Sequence, residues 1–357
     1  MTVYNTLGLM SGTSLDGLDI VHVLFKHGKT WEFDIINAKT YSYSEKWVKK
    51  LNNITELNGE KLIELHTNYG KHIGSKVNEF IVEQDISRKN IDLLSSHGHT
   101  AFHQPKKGFT FQLGNGADIY ATTNIKTICD FRSIDVAFGG QGAPLVPIGD
   151  QLLFNKYEAC LNIGGIANIS FNTSKGRIAG DIDFANIFSN RLAKKLEHEF
   201  DQDGHLANAG ELNTALLTDL RQLAYYSKSF PKSLGIEDYL QWYKPILSNH
   251  NISINDQLHT CGYHLCENIA SMVKENKVNN KVLCTGGGIK NLFWKKTLQK
   301  MGVNIIVPEK TTIDYKEALI FAFLGVLKVE NKNNILSSVT GGEKNLITGI
   351  IYNSENS

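Results

Sequence analysis

Several short stretches of this chain combine small residues with hydroxyls, carboxylates or imidazoles. The first is Ser11-Gly12-Thr13-Ser14-Leu15-Asp16-Gly17. Gly12 and Gly17 let the backbone amides approach phosphate oxygens, and the hydroxyls of Thr13 and Ser14 add donors. Asp16 is placed to hold Mg²⁺ directly or through water. The Gly-Lys-Ser/Thr ending of a Walker loop is missing, and a plain β-turn is the bland alternative. A second small turn, Gly164-Gly165, has Asn162 and Asn168 beside it. Alone it reads as a tight hairpin; paired with the first it makes a two-sided phosphate clamp. The third stretch, Gly286-Gly287-Gly288, follows an apolar strand and precedes a helix. Consecutive glycines cost conformational entropy on folding, and close backbone approach to a nucleotide is a reason for them.

Two further groups are polar. His97-Gly98-His99-Thr100 and Asp130-Phe131-Arg132-Ser133-Ile134-Asp135 each follow a predicted strand, so both are expected at strand ends. Imidazoles, the Thr100 hydroxyl and an Arg132–Asp135 pair suit a sugar bearing hydroxyls and a carboxylate. Zinc on His97, His99 and His103 is the rival, but their spacing matches no helical zinc motif. The last group is Gly180-Asp181-Ile182-Asp183-Phe184-Ala185-Asn186. Asp181 is expected to end a strand just before a helix, where a carboxylate can act as general base; a helix N-cap, by Asp183 or another residue of this turn, is the equal alternative.

The elements that position these groups alternate. Asn5–Met10, Leu18–Phe25 and Trp31–Tyr43 read as strands joined by tight turns. Leu62, Leu65, Tyr69, Ile73, Val77 and Phe80 mark a long helix, and Ile91–Ser95 and Thr127–Asp130 are strands. The plan restarts after residue 150, with strands at Ala159–Asn162, Ile166–Phe171 and Arg177–Ala179. Helices at Tyr263–Lys274, Phe293–Met301 and Tyr315–Leu327 alternate with strands at Val282–Cys284 and Asn304–Val307. The expected fold is α/β, with lobes at 1–150 and 151–357 of similar plan and a cleft between them.

The whole chain narrows the classes. At 357 residues it exceeds one ordinary core. With 41% hydrophobic and 20% charged residues its composition is that of a globular protein, not a disordered one. A formal net charge of +1 offers no basic excess, so nucleic acid is not expected. The 5 cysteines are odd in number and lack a Cys-x-x-Cys pair, which suits reduced thiols in cytoplasm. Met1-Thr2-Val3-Tyr4-Asn5 carries no basic n-region, and no long apolar run predicts a membrane helix.

Together these residues resemble the anhydro-N-acetylmuramic acid kinases. The resemblance rests on Gly8-Leu9-Met10-Ser11-Gly12-Thr13-Ser14-Leu15-Asp16-Gly17, His97-Gly98-His99-Thr100, Asp130 to Asp135 and Gly139-Gly140-Gln141-Gly142-Ala143-Pro144-Leu145. It continues through Asn162 to Asn168, Pro231-Lys232-Ser233, Thr285-Gly286-Gly287-Gly288 and Lys316-Glu317-Ala318, nearly the whole chain. It implies a two-lobed actin-like ATPase fold, ribonuclease H-like and duplicated, with ATP between the lobes. The implied reaction is hydrolytic opening of a 1,6-anhydro sugar coupled to phosphorylation of O6, giving N-acetylmuramate 6-phosphate for cell-wall recycling. By position Asp181 matches the catalytic base. Arg132 and the His97 segment match sugar contacts, Asn186 a further polar contact, and Glu317 a carboxylate lining the cleft. A homodimer is also implied. The chain departs from the family pattern at Ile182-Asp183-Phe184-Ala185-Asn186, where Thr-Gly-Pro-Gly-Asn is expected, at Asn190 for Asp, and at His99 for Gln. Another small sugar or acid kinase, or a weakened nucleotide-binding homologue, are the readings beside it.

Overall fold

The computed structural model describes residues 1–174, 176–278 and 281–354. Two compact units divide the chain, one of Met1–Leu153 with Tyr315–Ser357 and one of Phe154–Asp314.

In the first unit, β1 (Thr2–Ser11), β2 (Leu18–His27) and β3 (Trp31–Tyr41) form an antiparallel meander. β4 (Leu93–Gln104) pairs parallel with β1 and antiparallel with β5 (Phe109–Leu113). β6 (Thr127–Cys129) pairs parallel with β4, and the C-terminal strand Ile350–Tyr352 closes the edge beyond β6. The centre of the sheet is buried on both faces. Leu7, Leu9 and Leu94 pack with Leu65, Tyr69, Ile73, Val77 and Phe80 of the helix Gly59–Glu83. That helix follows the predicted 3.6-residue apolar stripe. The opposite face receives the helix Lys310–Val329. It lies close because Gly8 has no side chain: a Cβ there would stand 2.2 Å from the Ala318 carbonyl oxygen. Ser95 Oγ donates to the Phe321 carbonyl from the same face.

In the second unit, β7 (Ala159–Ile163), β8 (Ile166–Thr173) and β9 (Gly176–Phe184) form another antiparallel meander. β10 (Val282–Thr285) pairs parallel with β7, and β11 (Ile305–Ile306) with β10. Phe184, Phe188, Leu265, Ile269 and Trp294 fill a core beneath the sheet, with the helix Ile254–Glu275 supplying two of them. The two sheets share one order: meander of the first three strands, then two parallel strands beyond the first of them.

Three expectations change. The sequence places the second lobe at 151–357, but Tyr315–Ser357 belongs with the first unit. The cause is packing: the helix seats on Gly8 and Ser95, and Ile350–Tyr352 pairs with β6. β4 does not stop at Ser95 but runs to Gln104, because its second half pairs with β5. β9 likewise runs on to Phe184, so Asp181 and Asp183 lie within a strand.

Candidate active site

The hairpin from Ser11 to Leu18 links β1 and β2. Its turn is closed by the Leu15 amide donating to the Gly12 carbonyl at 3.3 Å. Thr13, Ser14 and Asp16 are exposed on this turn and Gly12 is half-buried. Gly17 is different. A Cβ there would lie 2.6 Å from the Tyr41 carbonyl oxygen, so this glycine serves packing against β3. Below the turn sits a polar network the sequence did not suggest. Tyr43 Oη donates to Ser11 Oγ at 2.7 Å, and His99 Nδ1 lies 2.9 Å from the same oxygen. Tyr69 joins through Tyr43 at 2.5 Å. Burial pushes the His99 imidazole down to about 4, so it stays neutral at ordinary pH. Ser11, Tyr43, Tyr69 and His99 come from four separate stretches of chain: the β1–β4 pairing sets His99 against Ser11, and the helix Gly59–Glu83 carries Tyr69 to Tyr43.

Farther along the same unit, Arg132 is fixed by two acceptors. Its Nε and Nη2 lie 3.0 and 2.9 Å from His97 Nε2, and its Nη1 donates to the Gly142 carbonyl at 2.5 Å. His97 Nδ1 donates to the Gly98 carbonyl at 2.9 Å, which leaves Nε2 as acceptor. Burial, then the Arg132 charge, hold this imidazole well below its usual range. Burial draws the Arg132 guanidinium down to about 10 against the pull of Glu317. Glu317 keeps solvent access although protein crowds it. That crowding raises its carboxyl, while Arg132 and Lys316 pull it down. His97, Arg132 and Glu317 therefore form one electrostatic group. A cavity of about 130 Å³ adjoins it, lined among others by His66, His97, Gln112, Asp130 and Ser133.

Asp135 and Thr100 do not join that group as expected. Asp135 is fully buried. Its Oδ2 accepts from the Gly142 amide at 2.7 Å and its Oδ1 from Thr340 Oγ1 at 2.9 Å. Both oxygens are thus turned into the protein, away from any sugar. Asp135 instead pins the loop whose Gly142 carbonyl orients Arg132. This also gives the Gly139–Pro144 stretch a role. Thr100 stands opposite Gln112 in the β4–β5 ladder.

In the second unit the glycines meet at the end of β7. The Gly164 carbonyl accepts from the Asn186 amide at 3.1 Å. The Gly165 carbonyl accepts from Ala185 and Ile187 at 2.9 and 3.1 Å. The hairpin thereby caps the helix Asn186–Ala193, which has no side-chain cap. Gly286 has φ +86, and a Cβ there would lie 2.6 Å from the Ile163 carbonyl oxygen. A Cβ on Gly288 would lie 2.4 Å from Ile163 Cγ2. Gly287 is open: its nearest neighbour would be Asn186 Nδ2 at 4.0 Å. So Gly286 and Gly288 are packing glycines, and Gly287 with Asn186 faces the available space. Asn186, expected at the sugar, thus sits beside the glycine loop.

Asp181 is half-buried in β9, opposite Asn168. Its Oδ2 accepts from the Leu234 amide at 2.9 Å. Burial raises its carboxyl to about 6, and the Leu234 bond restrains that rise. Asp183 is no helix cap. It is fully buried, bonded to Tyr226 Oη at 2.6 Å, to Asn268 Nδ2 at 2.9 Å and to the Phe184 amide at 2.8 Å. His264 Nδ1 stands 3.0 Å from its other oxygen. A half-buried carboxylate with a raised proton affinity is the form a general base takes.

Two sheets of one strand order, each with a small-residue turn after its first strand, place the chain in the actin-like ATPase class with a duplicated ribonuclease H-like plan. Within that class the chain belongs to the anhydro-N-acetylmuramic acid kinase family, whose profile matches residues 4–354. It is 32% identical to the anhydro-N-acetylmuramic acid kinase of Shewanella denitrificans, with 98% of each chain covered. The proteins of that name from Pseudoalteromonas translucida and Vibrio cholerae are each 32% identical, with 94% and 97% of both chains covered. Among solved structures, component A of (R)-2-hydroxyglutaryl-CoA dehydratase from Acidaminococcus fermentans covers 89% of this chain and 96% of its own. It does so at 12% identity and a TM-score of 0.46.

Proposed function

We propose that this chain is an ATP-dependent sugar kinase that opens 1,6-anhydro-N-acetylmuramic acid with water and phosphorylates the freed O6. The observation that carries the mechanism is Asp181: half-buried, held at one oxygen by the Leu234 amide, with its carboxyl raised to about 6. Such a base is ionised at neutral pH yet retains proton affinity. Asp181 takes the proton from a water attacking C1. The C1–O6 bond breaks, and O6 carries its electron pair to the γ-phosphorus of ATP; ADP leaves. The product is N-acetylmuramate 6-phosphate, and Asp181 releases its proton to solvent.

The remaining residues divide by chemistry. Arg132, locked by His97 and Gly142, offers a fixed guanidinium for the sugar's carboxylate, with Glu317 as its counter-charge. Thr100 is kept as a hydroxyl for the sugar. From the second unit, Gly287 beside Asn186 is open to nucleotide, with Gly164 and Gly165 as the second phosphate turn and Gly286 and Gly288 backing the loop. From the first unit, Gly12, Thr13 and Ser14 provide phosphate donors, and Asp16 a carboxylate for Mg²⁺. Among the described residues no group of three or more His, Cys, Asp or Glu is arranged for a metal. Mg²⁺ at Asp16 would therefore take its other ligands from phosphate and water, as Mg²⁺ commonly does. It would supply charge neutralisation at the transferring phosphoryl group.

No described helix is long and apolar enough to cross a membrane, and all five cysteines are buried. Work in the cytoplasm, as a homodimer, belongs to this same proposal. The test is turnover in water enriched in heavy oxygen. The label is expected at C1 of the sugar product and not in the transferred phosphate. Label in phosphate alone marks a simple ATPase and ends this reading. Phosphorylation of free sugars or short acids, with no product from the anhydro sugar, favours another kinase of the class.

A further inference from the structure

β9 carries two carboxylates two positions apart, and the proposed reaction uses one. We infer that the segment Tyr225–Leu234 is a strap that positions Asp181, and that buried Asp183 is the post to which the strap is tied. This rests on the reading of Asp181 as general base.

The strap meets Asp181 at three points. Its Leu234 amide donates to Oδ2 at 2.9 Å. Its Tyr225 Oη donates to the Asp181 carbonyl at 2.8 Å. Its Lys232 carbonyl accepts from the Asp181 amide at 2.8 Å. β9 is the edge strand of its sheet among the described residues, so this bond gives the Asp181 amide the partner that a neighbouring strand would supply. Phe230 lies directly on the preceding residue: a Cβ on Gly180 would stand 2.6 Å from its ring. The residues Pro231-Lys232-Ser233, which the sequence singled out without a role, form the middle of this strap.

The anchor is next door. Tyr226 Oη donates to Asp183 Oδ1 at 2.6 Å, and its ring stands edge-on to His264 with centroids 4.8 Å apart. Asn268 and His264 hold the other oxygen from the helix Ile254–Glu275. The β8–β9 register shifts between Ala167 and Asn168, so Ile182 is an extra residue between Asp181 and Asp183. Such a bulge re-aims the side chains beside it. Adjacent tyrosines thus grip two positions either side of Ile182, one through the main chain of Asp181 and one through the carboxylate of Asp183. A base fixed at three points loses little time in unproductive orientations, and small misplacements of reacting groups are costly. Asp183 and Tyr226 are positioning residues; neither bonds the carboxylate of Asp181.

The experiment compares wild type with Tyr226→Phe and Gly180→Ala. The first keeps the ring and removes the tie to Asp183. The second lifts Phe230 from its seat and leaves the tie intact. Both are expected to lower kcat about tenfold or more, with KM for ATP and for the anhydro sugar within about twofold. The acid limb of kcat should also move to higher pH, because the Leu234 amide is the group that holds the Asp181 carboxyl down. Tyr225, Tyr226, Lys228 and Lys232 from the strap, Asp183 on β9, Cys261, His264 and Glu275 on the helix behind it, and Asp238 beyond the strap are the titratable groups around this stretch. A merely structural loss would lower the rate at all pH values and leave the limb in place. The Asp181 carboxyl is followed in parallel by infrared titration, which needs no turnover. If both folded variants keep the wild-type carboxyl titration and acid limb, the strap is overturned. If wild type makes no sugar phosphate but the carboxyl moves as stated, the strap stands and the assigned reaction fails. Should Tyr226→Phe not fold, Gly180→Ala decides.

Discussion

Arg132 and His97 form a cation–imidazole pair in which the imidazole is the acceptor: Arg132 Nε lies 3.0 Å from His97 Nε2. That fixes the tautomer, since Nδ1 donates to the Gly98 carbonyl. It also fixes the guanidinium plane, because Nη1 reaches the Gly142 carbonyl at the same time. A lysine has one compact ammonium and cannot hold both acceptors with a planar fork. Arg132→Lys should raise KM for the anhydro sugar about tenfold or more and leave KM for ATP nearly unchanged. Steady-state kinetics with each substrate varied in turn checks this. Equal rises in both values would remove Arg132 from the sugar.

Asp181 gives a pH profile with a sign. Burial raises its carboxyl from 3.8 to about 6. Activity that needs the ionised base should therefore climb as pH rises through about 6. Asp181→Asn should lose turnover by roughly a hundredfold or more while still binding both substrates. The same variant should gain stability at pH 8, because the folded protein disfavours the charge it removes. The gain should vanish near pH 3, where the carboxyl is protonated folded or unfolded. Melting temperatures at both pH values test this, and equal shifts would contradict it.

The buried imidazoles act in the opposite direction. His99 and His72 are pushed from 6.5 to about 4, and His97 lies well below its usual range. The unfolded chain binds these protons first. Stability should be full above about 6.5 and fall as pH drops toward about 4, where the folded imidazoles also protonate. His99→Gln retains a partner for Ser11 without a titrating ring, so its melting temperature should fall less steeply in that window. An unchanged slope would mean His99 is not among the groups responsible.

The glycine loop separates packing from binding. Gly287→Val meets open space and should leave the melting temperature unchanged while weakening ATP about tenfold, or about 1.4 kcal/mol. Gly288→Ala would push a methyl into Ile163 and should destabilise the second unit by about 1–3 kcal/mol. Calorimetry of nucleotide binding and thermal melts distinguish the two. Undiminished ATP affinity in Gly287→Val would move the nucleotide elsewhere.

Asp183 tests whether burial outranks sequence neighbourhood. Its place before a helix suggests a cap, yet it is a buried carboxylate with donors from Tyr226, Asn268 and Phe184. Asp183→Asn puts an amide among donors and should cost about 1–3 kcal/mol in denaturant melts. A neutral effect would mean the surrounding donors find other partners.

The local elements and the order of the motifs were legible in the sequence. Alternation and apolar runs located β1, β2, β7, β8 and β10, since strands buried on both faces must be apolar whatever packs against them. The small-residue turns at Gly12 and Gly164 were visible for the same local reason. What only tertiary structure decided were the partners. The end of β4 and the end of β9 lie beyond their apolar runs, because β5 in one case, and β8 together with the Lys232 carbonyl in the other, satisfy backbone groups that sequence cannot match. Asp135 and Asp183 look like Asp16 and Asp181 in a sequence, all short carboxylates near turns. Burial divides them: two are sealed with full sets of donors, one is exposed, and one is half-buried with a raised carboxyl. A carboxylate's chemistry is set by its desolvation and its donors, and those come from residues distant in the chain.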